Sequence, residues 1–264
     1  MSEMIRFEEV TKKFEKSGSY AVDNVSFSVK KGEFITILGS SGCGKTTLLK
    51  MVNRLYEPDE GHIYIEGNNL SKMDAIELRR QIGYVIQQGG LFPHMKIREN
   101  MLIVPKLLKW EKEKMEQRLT ELFSMIGLEQ NEFQNRYPKE LSGGQQQRIG
   151  LARAIAANPR LVLLDEPFGA IDAITRTILQ EELSRLQKKL GMTMLFVTHD
   201  IHEAFRLGNR VMIMNEGRIC QFDTPENIMR CPAEGFVEHL IQSYRQQMKF
   251  VEQMTEETGR KNEC

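Results

Sequence analysis

No stretch of the 264-residue sequence approaches the roughly 18 consecutive apolar residues that a membrane helix needs. The first ten residues, Met1 to Val10, carry alternating charges and lack the apolar core of an export signal. The chain is therefore expected to be soluble and unexported. Net charge is also missing, because 36 Lys and Arg balance 36 Asp and Glu. No global field recruits nucleic acid or an anionic membrane, although local basic patches stay possible. The four cysteines, Cys43, Cys220, Cys231 and Cys264, are too few and too scattered for a disulfide scaffold or a CxxC metal site, which fits a reducing cytosol. Neither an internal repeat nor a low-complexity block is evident. The apolar (41%) and charged (27%) fractions are those of an ordinary globular protein long enough to bury a core.

Short patterned segments fill the chain. Ile5 to Phe7, Val25 to Val29 and His62 to Glu66 alternate apolar with polar residues, the mark of half-buried antiparallel strands. Phe34 to Leu38, Leu161 to Leu164 and Thr193 to Val197 are nearly continuous apolar, as strands covered on both faces are. Helical periodicity runs through Lys45 to Leu55, Glu111 to Ile126, Gly144 to Ala157 and Ile174 to Leu190. The alternation predicts one α/β core with a mostly helical insert from about Gln88 to Asn158. A hairpin is expected over Val211 to Phe222, turning at Asn215-Glu216-Gly217. A helical stretch and a polar tail from about Ser243 follow. The helical spacing of Met248, Val251 and Met254 suits a loosely packed terminal helix, with a partner-binding segment as the alternative.

Gly39, Ser40, Ser41, Gly42, Cys43, Gly44, Lys45 and Thr46 spell GSSGCGKT, a full GxxxxGK[ST] match, with Thr47 next. The glycines let successive backbone N–H groups converge on phosphate oxygens. The following helix aims its positive end at the same anion, Lys45 adds a full charge, and Thr46 offers a hydroxyl to Mg²⁺. The strand FITIL before it and the helix TTLLKMVN after it are the context the motif requires. Cys43 reads as a small spacer that keeps the loop close to phosphate; a redox-sensing thiol is the alternative.

At Leu161 to Glu166 (LVLLDE) two carboxylates follow a buried strand. Asp165 suits Mg²⁺, held through its water shell, and Glu166 suits the orientation and deprotonation of an attacking water. Adjacent strand residues face opposite ways, so the two take different roles; a helix cap before Pro167 is the bland alternative. His199, in FVTHD, emerges where α/β sheets bind ligands and suits a contact to the γ-phosphate, the attacking water or Glu166.

Leu141 to Gln145 reads LSGGQ and runs on as QQRIGLARAIA. With the P-loop, LVLLDEP and THD in order, this resembles the ABC-type ATPases over roughly Ile5 to Ile241. The resemblance implies an α/β P-loop NTPase core of the ABC type, with an antiparallel β subdomain and a helical insert. It divides the chain into an ATPase domain at 1–242, with the insert at about 88–158, and a tail at 243–264. Ser142, Gly143, Gly144 and Gln145 open a helix and so form a second anion cradle, for which a chain with one P-loop holds no phosphate. The family's arrangement is a head-to-tail homodimer or pseudo-dimer in which this cradle closes on the γ-phosphate of ATP bound to the other subunit.

The same resemblance implies ATP and Mg²⁺ as cofactors and hydrolysis as the activity. Tyr20 resembles the aromatic that stacks on adenine, an exposed strand tyrosine being the alternative. Gln87 resembles the glutamine that reaches Mg²⁺ and water, unless Gln88 holds that place. Asp172, in FGAID, resembles the loop that crosses to the partner, although Gly169 and Ile171 depart from the more usual Ser and Leu. Leu91 to Ile97 (LFPHMKI) is where a membrane subunit would dock, or else local core.

Within the family, IGYVIQQGGLFPHMKIREN and DEPFGAIDAITR resemble the importer ATPases for quaternary amines such as glycine betaine, carnitine and choline. Implied partners are integral membrane permease subunits at the cytoplasmic face of the cell membrane and, indirectly, a solute-binding protein; nucleic acid is not expected. Many longer relatives carry paired CBS domains, and regulation by that route is not expected for this sequence. Open alternatives are an importer for another solute such as an amino acid or polyol, an ABC ATPase of DNA repair or translation, and a module that does not hydrolyse. The absence of a long coiled-coil insertion or tandem cassettes argues against repair and translation, and intact Glu166 and His199 argue against a dead module.

Overall fold

The computed structural model describes residues 2–14, 20–86, 90–169 and 171–261; of residues 250–252 and 254–261 it describes the backbone alone. The alternating segments form one antiparallel sheet. It comprises β1 (Glu3–Lys13), β2 (Tyr20–Lys30), β4 (Glu60–Ile65) and β5 (Asn68–Asn69), in the order β2-β1-β4-β5. Val25, Phe27 and Val29 turn inward while Asn24 and Ser26 face out. Phe7 stacks on its cross-strand partner Phe27 with ring centroids 4.5 Å apart.

The continuous apolar runs form a second sheet. It comprises β3 (Phe34–Gly39), β6 (Ile82–Val85), β7 (Leu161–Asp165), β8 (Thr193–Val197), β9 (Arg210–Asn215) and β10 (Arg218–Asp223), in the order β10-β9-β3-β8-β7-β6. Pairings from β9 through β6 are parallel, and β10 closes an antiparallel hairpin on β9. Every residue of β7 and β8 is buried, as a strand covered on both faces must be. The hairpin turns at the predicted place, with Glu216 at φ 47° and Gly217 at φ 79°.

Helix α1 (Lys45–Val52) follows β3 and α2 (Ala75–Gln81) precedes β6. Between β6 and β7 the chain leaves the sheet for α3 (Ile97–Leu107), α4 (Lys112–Met125), α5 (Gln130–Phe133) and α6 (Gly143–Ile155). Then α7 (Ala173–Leu190) joins β7 to β8, and α8 (Ile201–Leu207), α9 (Pro225–Arg230) and α10 (Phe236–Lys261) complete the chain.

The parallel sheet divides two cores. On one face Phe34, Phe168 and Phe196 pack with Ile97, Met101, Leu122 and Ile149 of the helical insert. On the other, Ile35, Ile37 and Val197 pack with α1 and the antiparallel sheet. Helix α10 runs on through Ser243, and the backbone of the polar segment expected to hold a loosely packed terminal helix is helical to Lys261. Its apolar anchors, Val237 and Ile241, are buried against Ala204 and Ile213. Met248 is exposed, and the side chains of Val251 and Met254 lie outside the described residues, as does Cys264.

Candidate active site

Strands β3, β8 and β7 are neighbours in the sheet, so the segments leaving their carboxyl ends converge. These carry, in that order, the GSSGCGKT loop, His199, and the Asp165-Glu166 pair. Parallel pairing aligns them: Ile37 lies beside Val197, and Val197 beside Asp165.

The loop is shaped by backbone contacts that only glycine permits. A Cβ on Gly39 would lie 2.1 Å from the Met214 carbonyl oxygen. One on Gly44, at φ 103°, would lie 2.0 Å from that of Ala21. Gly44 sits immediately before α1, so the first amides of that helix face the loop's hollow. Lys45 is buried, 7% exposed, and its Nζ donates 2.8 Å bonds to the carbonyl oxygens of Gly39 and Ser40. An ammonium held at the mouth of an amide cradle is an anion site. Cys43 is buried with its Sγ 3.8 Å from Lys45 Nζ.

Thr46 Oγ1 donates a 2.9 Å bond to Asp165 Oδ1. Burial pushes the Asp165 carboxyl up, and the Thr46 bond pulls it the other way. Glu166 leaves the strand in the left-handed region at φ 47°. Its N–H donates to the Val197 carbonyl, and its carbonyl accepts from Gly169 N–H and from Gln147 Nε2 of α6. The expectation that strand alternation separates the two acids is corrected in its cause: β7 ends at Asp165, and the turn of the backbone re-aims Glu166. His199 Nδ1 stands 3.6 Å from Glu166 Oε2. The loop from Ser41 to Thr47, with Glu166 and His199, lines a cavity of about 430 Å³. A larger cleft of about 830 Å³ between α4, α6 and α7 contains none of these residues.

Other predicted residues stand elsewhere. Ser142 caps α6: its Oγ accepts from Gln145 N–H, and Gln145 Oε1 accepts from Ser142 N–H. Ser142 and Gly143 are exposed, and neither they nor Gly144 and Gln145 line the cavity. Asp172 caps α7 through Thr175 N–H, which holds its carboxyl below its ordinary pKa. Tyr20 is 50% exposed at the start of β2, beside Lys13 Nζ, and lines a separate shallow groove. Gln87, like Gln88, lies outside the described residues.

Gln147 was not anticipated. It sits in a run of three glutamines, and only its helical phase, four residues before buried Leu151, marks it as the one that turns inward.

The model of the ABC transporter family matches residues 22–169. The chain belongs to that family. It is 56% identical over 238 residues to the carnitine transport ATP-binding protein OpuCA of Listeria monocytogenes, covering 90% of this chain and 59% of that one. It is 52% identical over 261 residues to the glycine betaine/carnitine/choline transport ATP-binding protein OpuCA of Bacillus subtilis, covering 97% of this chain and 68% of that one. This ABC chain thus spans about three fifths of the length of the Listeria relative. Among solved structures it resembles the dimeric post-hydrolysis state of the ATP-binding cassette MJ0796 bound to ADP and Pi. The TM-score is 0.78 at 37% identity, over 84% of this chain and 99% of that one. The fold is accordingly that of an ABC cassette, and nucleotide binding follows from the family.

Proposed function

We propose that this chain is the ATP-hydrolysing subunit of an importer for quaternary amines of the glycine betaine, carnitine and choline kind. The observation that carries the reading is the convergence of the loop, Thr46, Glu166 and His199 on one cavity, with Asp165 bonded to Thr46 at its edge. The cargo class rests on the OpuCA likeness.

In this reading the loop amides and Lys45 hold the ATP phosphates, and Tyr20 stacks on adenine. Among the described residues no group of three His, Cys, Asp or Glu forms a metal cage. One hydroxyl and one carboxylate, both hard oxygens, fit an ion that completes its shell with water and phosphate. Mg²⁺ would fit: Thr46, Asp165 and Gln87 would hold it, and it would supply charge neutralisation at the phosphates. Glu166 orients the attacking water and takes its proton, while His199 fixes Glu166 and the γ-phosphate.

Because Ser142 to Gln145 do not line the cavity, their cradle serves ATP on a second subunit, and the resulting dimer is head to tail, with Asp172 at the crossing. Membrane subunits dock on Leu91 to Ile97. Buried Asn100 pins this turn by accepting from Phe92 N–H and donating to the Phe92, Met95 and Lys96 carbonyls, leaving Phe92, Pro93 and His94 exposed. No helix among the described residues is long and apolar enough to cross a membrane, which agrees with a peripheral subunit at the cytoplasmic face.

Copurification with a multi-spanning membrane protein, followed by ATP-driven uptake of labelled glycine betaine, carnitine or choline into proteoliposomes, tests the reading. Uptake that saturates with one of these supports it; ATP-driven uptake of only an amino acid or polyol overturns the cargo assignment.

A further inference from the structure

Glu203 has no part in the chemistry above, yet it is a buried carboxyl, 8% exposed, on α8 just beyond His199. Three side chains meet on it. Thr198, the residue before His199, donates a 2.6 Å bond from Oγ1 to Glu203 Oε2, and the same hydroxyl accepts from Asp200 N–H. Gln180, buried on α7, donates a 3.0 Å bond to Glu203 Oε1. Arg176, one turn earlier on α7, brings Nε to 3.9 Å from that oxygen.

This Nε is buried and without a hydrogen-bond partner among the described residues, while Nη2 of the same guanidinium donates to the Ile171 carbonyl, beside Asp172. A cavity of about 50 Å³ lined by Glu166, His199, Thr198, Arg176 and Glu203 joins this cluster to the reacting end of the site.

Burial pushes the Glu203 carboxyl up, and a buried ion pair is weak support for a fold compared with apolar packing. The arrangement does something apolar side chains would not: it ties the turn at Ile171 and Asp172 to the strand end that aims His199. At 3.9 Å the Arg176–Glu203 pair is within ion-pair range but too long for a hydrogen bond, so a shift of ~1 Å in the first turn of α7 makes or loosens it.

We infer that Glu203 is a positioning residue that couples the Asp172 turn to His199, so that contact with a second subunit at that turn sets the His199–Glu166 geometry. The inference rests on the ATPase reading above.

The test uses the full chain, with steady-state ATP hydrolysis and amide hydrogen exchange measured side by side. Glu203→Ala is expected to lower kcat by ~10-fold or more with KM for ATP within ~2-fold, because the loop amides and Lys45, which carry most of the phosphate binding, are untouched. Gln180→Met lowers kcat less, and the double variant is no worse than Glu203→Ala alone, since both lie in one network. In nucleotide-free protein, Glu203→Ala raises exchange in 171–176 and 198–203 together and leaves 45–52 unchanged. Wild-type kcat in Glu203→Ala, or faster exchange confined to 198–203, overturns the coupling.

If the wild-type chain does not hydrolyse ATP, the ATPase reading fails, while the exchange comparison still decides whether Glu203 links the two segments. Should Glu203→Ala fail to fold, Glu203→Gln serves in its place. It keeps an acceptor for Thr198 but sets an amide against Gln180 and Arg176, and the same pairing of kcat loss and dual exchange is expected at smaller amplitude.

Discussion

Thr46 and Asp165 stand 119 residues apart in the chain and share a 2.9 Å hydrogen bond. That contact sets the first helical turn after the phosphate loop against the end of β7. In the proposed reading the same pair holds a hard cation. Asp165→Asn is expected to cut Mg²⁺-dependent phosphate release by ~100-fold or more and to shift the Mg²⁺ requirement upward. Binding of a fluorescent ATP analogue without metal should be little changed. A Mg²⁺ titration of phosphate release in the two proteins checks this.

Gly44→Ala would place a Cβ 2.0 Å from the Ala21 carbonyl oxygen at a backbone φ of 103°. That oxygen is backbone and not the end of a flexible side chain, so the loop or β2 must move. The expected loss is ~2–4 kcal/mol of stability, with ATP affinity falling at least ~10-fold. Chemical denaturation and analogue titration measure the two effects separately.

Tyr84, on β6, buries its hydroxyl without a hydrogen-bond partner among the described residues. Burial, and then the charge of Asp165, raises its pKa from 10.0 to about 12. Replacing the orphaned hydroxyl with hydrogen should be neutral or stabilise by about 1 kcal/mol, a Tm gain of roughly 2–4 °C. The sign with pH is fixed. The folded pKa lies above the unfolded one, so the stability linked to neutral Tyr84 is complete below pH 10 and is lost as pH rises toward 12. Tyr84→Phe should flatten the stability curve across that window, as read by thermal melts from pH 9 to 12.

Ser142→Ala removes one half of the reciprocal cap that opens α6. The local cost is about 1 kcal/mol, too little to unfold the domain. If Ser142 to Gln145 serve the nucleotide of a second subunit, hydrolysis should fall ~10-fold or more while nucleotide affinity of the isolated chain stays within ~2-fold. A comparison of Kd with kcat decides between a cap and a phosphate contact.

Much of this was legible because it is local. Phe34, the loop and Lys45 lie in one continuous strand-loop-helix segment, and Thr193 to Val197 forms a strand with the predicted ends. What escaped depends on tertiary context. The φ of Glu166 is set where β7 gives way to the turn that bonds back to Val197, which no strand pattern encodes. The four residues of β6 are too short to carry a period. Gln147 and Glu203 look like polar helix surface until the carbonyl of Glu166 and the hydroxyl of Thr198 are seen to face them. The run of α10 beyond Ser243 was legible in part: Met248, Val251 and Met254 have helical spacing among Glu, Gln, Lys and Met, good helix formers, although the segment also reads as polar tail.

The central claim is that ATP closes two of these chains head to tail and that Glu166 fires the reaction that reopens them. The most direct measurement is light scattering of purified Glu166→Gln with and without Mg-ATP, alongside phosphate release. The account predicts turnover reduced ~10²–10⁴-fold and a dimer that forms with ATP and dissociates when ATP is removed. A variant that hydrolyses at the wild-type rate, or one that binds ATP and stays monomeric at every concentration, would contradict it.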